Sequence, residues 1–457
     1  MRRTLPLLCL VLTAGCRPEE EPAPRPTDGE QRYLDWTAVP FSKSEFAARR
    51  ATFVEALRRS APGGAIHLEP ARDGFSYGET FRQLDGFYYL TGLELPNAVL
   101  AIESESGAAT IYAPRRDARF ESATRPNDFP GRPLADDADI AEAAGVDIEP
   151  IETLDAALLR WSREGRVFHA DLGRGGSSSP KTDYVFTWSP GEQLAAHLQT
   201  LGIGVKDARS PLARQRMVKS AAEIAILRRA CEINAAAILH AARFVRDGVD
   251  ELSLAAEYEA EGKRRGARRL AFDSIVKSGP NSLWPWRILA THADRRNRTM
   301  KAGDLVIFDV GVEVDGYATD AGRTFPVSGR FTSDQRRRVE MATAVSDAII
   351  AAIRPGVTLK DLQAVAEAAI PADERPYMQT GLFFGHHIGL AVGDPSLADA
   401  LLEPGMIFTV EPWYYNHDDE ISVFLEDNVL VTADGCENLT AALPRTTDAL
   451  EACLGAR

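Results

Sequence analysis

Two periods of apolar residues alternate along this chain and divide it into elements. From Ser42 to about Ser60, Phe46, Phe53, Val54 and Leu57 recur at helical spacing and predict an amphipathic helix. The segment Phe81–Gly92 leads into Ala98–Ile102 and Ala109–Tyr112, which read as strands. Helical patterns return over 153–163 and 190–201, so this part is mixed α/β. The pattern changes around 202–212. Lys219-Ser220-Ala-Ala-Glu223 is a capping-box start, followed by a long helix with apolar Ile224, Ile226, Leu227, Ile233 and Ala237. A domain boundary near 210 follows. Beyond it the chain reads as a helix over 251–266, a strand from 271, a hairpin, a helix over 333–353, a shorter helix after Thr358 and closing strands.

The hairpin is the most informative stretch. Leu305–Val314 and Tyr317–Pro326 are β-rich runs flanking Asp315-Gly316, the dipeptide suited to a two-residue type I′ turn. With 315 and 316 as the loop, 314 pairs with 317 and 311 lies opposite 320. Asp309 is two residues from 311 and so shares a face with Asp320, about 7–8 Å away at the backbone. Two like charges at that distance repel unless a cation lies between them, and a hard divalent ion is the natural occupant. A surface hairpin with two solvated acids is the competing reading.

Three further residues join this pair. Met406–Pro412 and Ile421–Val431 each place an acid, Glu411 and Glu426, in a hydrophobic strand, where burial is costly without a partner. Gly385-His386-His387-Ile388-Gly389 offers an imidazole, a common metal ligand. One imidazole and four carboxylates make an oxygen-rich set, suited to manganese or a similar hard ion rather than to a thiolate-selected metal.

Composition narrows the class. At 457 residues, 45% apolar and 26% charged, the chain has material for two globular domains. A net charge of −14 argues against nucleic acid, and clusters such as Arg336-Arg337-Arg338 read as solvated faces. Gly173–Ser179 lacks the ending of a phosphate loop and reads as a flexible loop. No run of 18 apolar residues occurs, so the mature chain is not expected to span a membrane. Met1-Arg2-Arg3 and the apolar run Leu5–Leu12 read as a signal segment. Thr13-Ala14-Gly15-Cys16, which closes it, resembles the lipobox of bacterial lipoproteins. That resemblance implies a lipid on Cys16 and, with Arg17 next, an outer-membrane protein facing the periplasm; a secreted or soluble periplasmic protein is the alternative. The Glu- and Pro-rich residues that follow read as a tether. Of the remaining cysteines, Cys231, Cys436 and Cys453 fit no metal motif. A Cys436–Cys453 bridge and isolated thiols both stay open.

Taken in order, Asp309, Asp320, His386, Glu411 and Glu426, with Thr409-Val-Glu-Pro412 and Glu426-Asp-Asn, resemble the five metal ligands of the pita-bread metallopeptidases. Within that family the pattern is most similar to aminopeptidase P, the Xaa-Pro aminopeptidases. Phe81-Arg-Gln, Phe87–Gly92, Pro96–Val99, Lys219-Ser, Glu223-Ile and Glu437-Asn-Leu-Thr440 carry the same resemblance, which runs from about 40 to 453. It implies an α+β architecture, a mixed α/β creatinase-like domain over 39–210 and a pita-bread catalytic domain over 211–457, which follow the lipoprotein-type signal peptide over 1–16 and the tether over 17–38 read from the N-terminal segment. It implies a dinuclear centre, usually manganese, whose bridging hydroxide attacks a peptide carbonyl. Asp320 and His386 would each hold one metal, Asp309 would chelate and Glu426 would bridge. Glu411 would also handle the proton of the attacking water. His292, 17 residues before Asp309, falls where the family has its first substrate-facing histidine and would donate a hydrogen bond to the transition state.

Three positions depart from the family pattern. Gly393 stands where a second histidine is usual, Leu382 where a further histidine is common, and Phe424 where an arginine precedes the last glutamate. His387 and His417 are candidates to replace them. The expected partner is a short peptide with proline second, with membrane contact through the N-terminal lipid only and self-association left open. A prolidase-like dipeptidase is a variant of this reading, and a metal-bound but catalytically weak peptide- or partner-binding lipoprotein is the alternative.

Overall fold

The first sheet runs through the first half of the chain. In a computed structural model, which describes residues 39–61, 63–74, 81–115, 135, 138–172, 189–283, 297–378, 385–397 and 399–455, six strands form it. They are β1 (Ala65–Pro70), β2 (Val99–Glu103), β3 (Ala109–Ala113), β4 (Asp147–Pro150), β5 (Val167–Ala170) and β6 (Val205–Asp207), in the order β4-β3-β2-β1-β5-β6. β1 is buried along its whole length. The helix Lys43–Ser60 starts where Ser42 accepts from the Glu45 amide and buries Phe46, Phe53, Val54 and Leu57, the residues that predicted it. Helices Leu154–Arg163 and Pro190–Thr200 also stand where the periodicity put them.

A helix that the pattern did not separate, Arg209–Met217, follows β6. The next, Ala221–Ala242, opens with the expected capping box: Ser220 accepts from the Glu223 amide and Glu223 from the Ser220 amide. The strand expected from 271 is two short ones, β7 (Arg269–Leu270) and β8 (Ile275–Ser278). The hairpin then runs β9 (Leu305–Val310), β10 (Val312–Val314), β11 (Tyr317–Ala318) and β12 (Ala321–Pro326). Val314 pairs with Tyr317, and further out Val310 pairs with Ala321 and Asp309 with Gly322, the predicted register. Asp315 (φ 49) and Gly316 (φ 84) both take positive φ, as a type I′ turn requires. A side chain at 316 would press on Tyr88, whose ring lies 2.5 Å from the position of an added Cβ.

Helices Ser333–Ala352 and Leu359–Ala369 lead to the closing strands β13 (Ile407–Val410), β14 (Trp413–Asn416), β15 (Ile421–Phe424), β16 (Asp427–Val431) and β17 (Cys436–Asn438). Here the sequence reading needs correction. Neither glutamate lies inside a continuous strand. β13 pairs with β16 in one sheet and β14 with β15 in another, so the chain changes sheets at Glu411-Pro412 and again at Leu425-Glu426. Pro412 has no N–H to offer a ladder, which is the local reason for the first break. The register on either side, Val410 opposite Asp427 and Trp413 opposite Phe424, sets Glu411 across from Glu426 at the two switch points. The main core gathers under these sheets, from Met217 through Val306, Phe308 and Phe325 to Phe408, Val429 and Leu450.

The two parts of the chain meet through buried charge. Arg82 donates to Glu313 at 3.0 Å and to Asp85 at 2.8 Å, and also binds the Leu390 carbonyl. Arg216 bridges Asp85, at 3.0 Å, to the buried Asp394, which also pairs with Lys219 at 3.2 Å. Arg338 is a second correction. It is buried rather than solvated, stacked 5.4 Å from the Tyr414 ring centre and paired with Asp419. Cys436 and Cys453 are free thiols, each donating to a backbone carbonyl, so the bridge left open is not formed. No helix among the described residues is long and apolar enough to cross a membrane.

Candidate metal centre

Two interrupted hairpins deliver four carboxylates to one place. β9 carries Asp309, the break between β11 and β12 carries Asp320, and the switch points carry Glu411 and Glu426. A backbone bridge between Gly322 and Glu426, with N···O distances of 3.2 and 3.0 Å, joins the hairpins. The fifth group arrives on the segment after Gly385. His386 donates its amide to Thr409 Oγ1 at 3.0 Å and accepts from the Thr409 amide at 2.8 Å. Its Nδ1 faces the His387 carbonyl at 3.2 Å, which makes Nδ1 the donor and leaves Nε2 free for a ligand. That Nε2 lies 3.5 Å from both Asp320 Oδ2 and Glu411 Oε1.

Asp320, His386 and Glu426 each offer a ligand atom within 4.8 Å of the others. Asp309 and Glu411 stand beside this trio. Asp309, Asp320 and Glu426 are at most 5% exposed. Such concentrated negative charge distorts titration. Burial, then the charges of Asp320 and Glu411, push Asp309 well above the usual carboxylate range. Burial, then Asp320, Glu411 and Asp309, do the same to Glu426. Burial also raises Glu411, against the pull of His386. Burial alone would lower His386, but Asp320 and Glu411 outweigh it and lift the imidazole to about 9.

The donor set fits divalent metal. Asp320 Oδ1 and both Glu426 oxygens are buried with no hydrogen-bond partner, a costly arrangement for carboxylates unless a cation is bound. Sequence reasoning missed what fixes them. Asn428 holds the Asp320 backbone from both sides, accepting from its amide at 3.4 Å and donating to its carbonyl. Arg323, fully buried, donates to the Glu426 and Gly322 carbonyls at 2.7 Å each and to Asp427 at 2.6 Å. A charged arginine inside a fully buried strand was the available signal.

The chain is similar to known proteins along most of its length. Residues 225–433 match the model of "Metallopeptidase family M24", and residues 46–162 that of "Aminopeptidase P, N-terminal domain". The chain thus carries a stretch similar to the M24 metallopeptidases, preceded by one similar to the N-terminal domain of aminopeptidase P. It is 29% identical to the Xaa-Pro aminopeptidase of Escherichia coli K12, over 90% of this chain and 98% of that one. It is 28% identical to the mitochondrial intermediate cleaving peptidase 55 of Arabidopsis thaliana, over 90% and 82%. Among solved structures it superposes on Pseudomonas aeruginosa aminopeptidase PepP with a TM-score of 0.73 at 28% identity, covering 90% of this chain and 98% of that one. The E. coli aminopeptidase P solved with the inhibitor Pro-Leu gives a TM-score of 0.74 at 27% identity, with the same coverage.

The chain therefore has the pita-bread fold in its C-terminal part, preceded by an N-terminal domain like that of aminopeptidase P. Of the residues singled out in the sequence, the structure brings Asp309, Asp320, His386, Glu411 and Glu426 together. His292, Leu382, Cys16 and the Gly-rich 173–179 lie outside the described residues. Gly393 is exposed, with open space where a Cβ would stand. His417 is exposed, whereas His387 is buried beside Phe408. Burial, then Lys219, push the His387 pKa down to about 4, so it stays neutral.

Proposed function

We propose that this protein is a metal-dependent aminopeptidase that removes the first residue from short peptides with proline in the second position. The observation that carries the reading is the set of orphaned carboxylate oxygens converging with His386 Nε2. The Xaa-Pro aminopeptidases with which the chain shares nearly its full length supply the substrate class.

Asp309, Asp320, His386, Glu411 and Glu426 are the residues we assign as ligands to two divalent ions, manganese by the hardness of the donors. When bound, two such ions lower the pKa of a shared water and polarise the peptide carbonyl. The chain's own part is positional. Asn428, Arg323 and Thr409 fix the backbones that carry Asp320, Glu426 and His386. Glu411, held at Oε1 by Thr409 (3.2 Å) and at Oε2 by Trp413 (3.3 Å), takes the proton of the attacking water and returns it to the leaving amine. We assign to His292 a hydrogen bond to the transition state. The lipobox-like Thr13–Cys16 supports a lipid anchor on Cys16, a tether over 17–38 and a place on the periplasmic face of the outer membrane, with domains over 39–210 and 211–457.

The test is turnover of an Xaa-Pro-Xaa tripeptide by protein stripped of metal and then given Mn²⁺. The expected result is metal-dependent release of the first residue, lost in Glu411→Ala. Cleavage of an Xaa-Pro dipeptide in preference would redirect the reading to a dipeptidase. Two bound metals without turnover would make the protein a binder. Cys16→Ala is expected to move the protein from the membrane to the soluble fraction.

A further inference from the structure

One side of the acidic cluster is closed by an aromatic wall. Trp413 and Phe424 face each other across β14 and β15, with ring centres 3.7 Å apart, and Tyr415 stacks on Trp413 at 5.4 Å. Trp413 and Phe424 are buried, and with Ile307 they form a cluster separate from the main core. Its place is at the site. Ile307 precedes Asp309 by two residues on β9 and so shares its face. Phe424 lies against Gly322, the residue opposite Asp309, so closely that an added Cβ would come within 2.1 Å of the ring.

An indole in such a wall could serve packing alone, but its N–H has a specific acceptor. Nε1 donates to Glu411 Oε2, while Thr409 Oγ1 donates to Oε1 and itself accepts from the His386 amide. Each oxygen of Glu411 thus has one neutral donor, and Oε1 is turned towards His386. Glu411 lies at a break in the ladder, where no strand pairing restrains it. Phenylalanine at 413 would fill most of the same space and leave Oε2 without its donor.

We propose that Trp413 is a positioning residue. Its indole N–H, through the bond to Oε2 and not through the packing of its ring on Phe424, sets the plane of the Glu411 carboxylate for the metal and for proton transfer. The inference rests on Glu411 being a metal ligand and the proton carrier.

The experiment compares wild type with Trp413→Phe, Trp413→His and Phe424→Leu in the purified protein. Co²⁺ titration of metal-stripped protein is followed by calorimetry and by the visible cobalt spectrum, alongside kcat and KM for the tripeptide and thermal unfolding. Trp413→Phe is expected to lose about ten- to a hundred-fold in Co²⁺ affinity and in kcat, the range for removing a group that orients a ligand, with KM changed less than about threefold. Its cobalt spectrum is expected to shift as Glu411 loosens. Trp413→His, which keeps a ring N–H, is expected to recover part of the affinity. Phe424→Leu is expected to unfold at lower temperature while holding Co²⁺ more tightly than Trp413→Phe does.

Trp413→Phe with wild-type affinity, spectrum and kcat would overturn the proposal, as would Phe424→Leu losing as much affinity as Trp413→Phe. If Trp413→Phe does not fold, Trp413→His against Phe424→Leu decides: equal loss of affinity rejects the indole's role, and better binding by the histidine variant supports it. A wild type that neither binds Co²⁺ nor cleaves peptide removes the reading of Glu411 itself, a different failure.

Discussion

At the scale of single residues, the site holds protons that a metal must displace. His386, lifted to about 9, is protonated at neutral pH in the metal-free protein, although a ligand imidazole must be neutral. Asp309, Glu411 and Glu426 are raised in the same direction. Calorimetry of Mn²⁺ binding near neutral pH, in buffers of different ionisation enthalpy, is therefore expected to register release of at least one proton per site. Apparent affinity is expected to rise with pH until about 9, and binding without proton release would show that His386 is not a ligand. Gly393 makes a second case. Nothing stands within 4 Å of where its Cβ would be, so Gly393→His is expected to change stability by less than about 0.5 kcal/mol, as surface substitutions usually do. If that histidine supplies the missing oxyanion-side donor, kcat rises by about ten-fold or more. An unchanged kcat with the fold intact would mean that the enzyme completes its site by other means. The five clustered residues were legible because each is a polar group in an apolar setting, and that mismatch survives without knowledge of any partner. Trp413 was not legible, since an aromatic residue in a strand is what packing alone would select.

At the scale of elements, the centre depends on two hairpins meeting edge to edge at Gly322 and Glu426. The register of the first was readable because side chains alternate with period two and Asp315-Gly316 fixes the turn, so counting outward places every residue. The second hairpin was misread as continuous strands. Its apolar runs extend on both sides of Glu411 and Glu426, and nothing in a hydrophobic pattern says that pairing passes to another sheet. The burial of Arg323 and Arg338 was hidden for a related reason. Their acidic partners Asp427 and Asp419 are about 80–100 residues away in sequence and adjacent only in the fold. The junction itself is tightly packed. An added methyl on Gly322 would meet the Phe424 ring at 2.1 Å and the Phe308 carbonyl at 2.7 Å, and a backbone atom cannot swing aside. Gly322→Ala is expected to cost about 1–3 kcal/mol in denaturant unfolding and to spread the carboxylates enough to lose Mn²⁺. A variant of wild-type stability with two metals bound would show that the hairpins do not need so close an approach.

At the scale of the whole molecule, two charge networks make opposite demands on pH. Asp394 is a buried carboxylate. Burial works against its charge, but Arg216 and Lys219 outweigh it and hold its pKa below the usual value. A depressed carboxylate contributes stability above its unfolded pKa and loses it as pH falls through the folded one, so this link between the two halves weakens in acid. The metal cluster has the reverse sign. Asp309, Glu411 and Glu426 have folded pKa values raised above those of the unfolded chain, as has His386. Their stabilising effect is complete below the unfolded values and is lost as pH rises through the folded ones, up to about 9 for His386. Metal-stripped protein is therefore expected to melt at its highest temperature on the acid side of neutrality, with Tm falling steadily towards about 9. Bound Mn²⁺ replaces the protons as the source of positive charge, and it binds the folded chain far better than the unfolded one. The gap in Tm between Mn²⁺-loaded and chelator-treated protein is thus expected to be small in mild acid and to widen as pH rises, and scanning calorimetry across that range measures it. A gap independent of pH would mean that the buried acids are compensated by something other than a bound cation. A gap that narrowed with rising pH would place the stabilising ion outside this cluster.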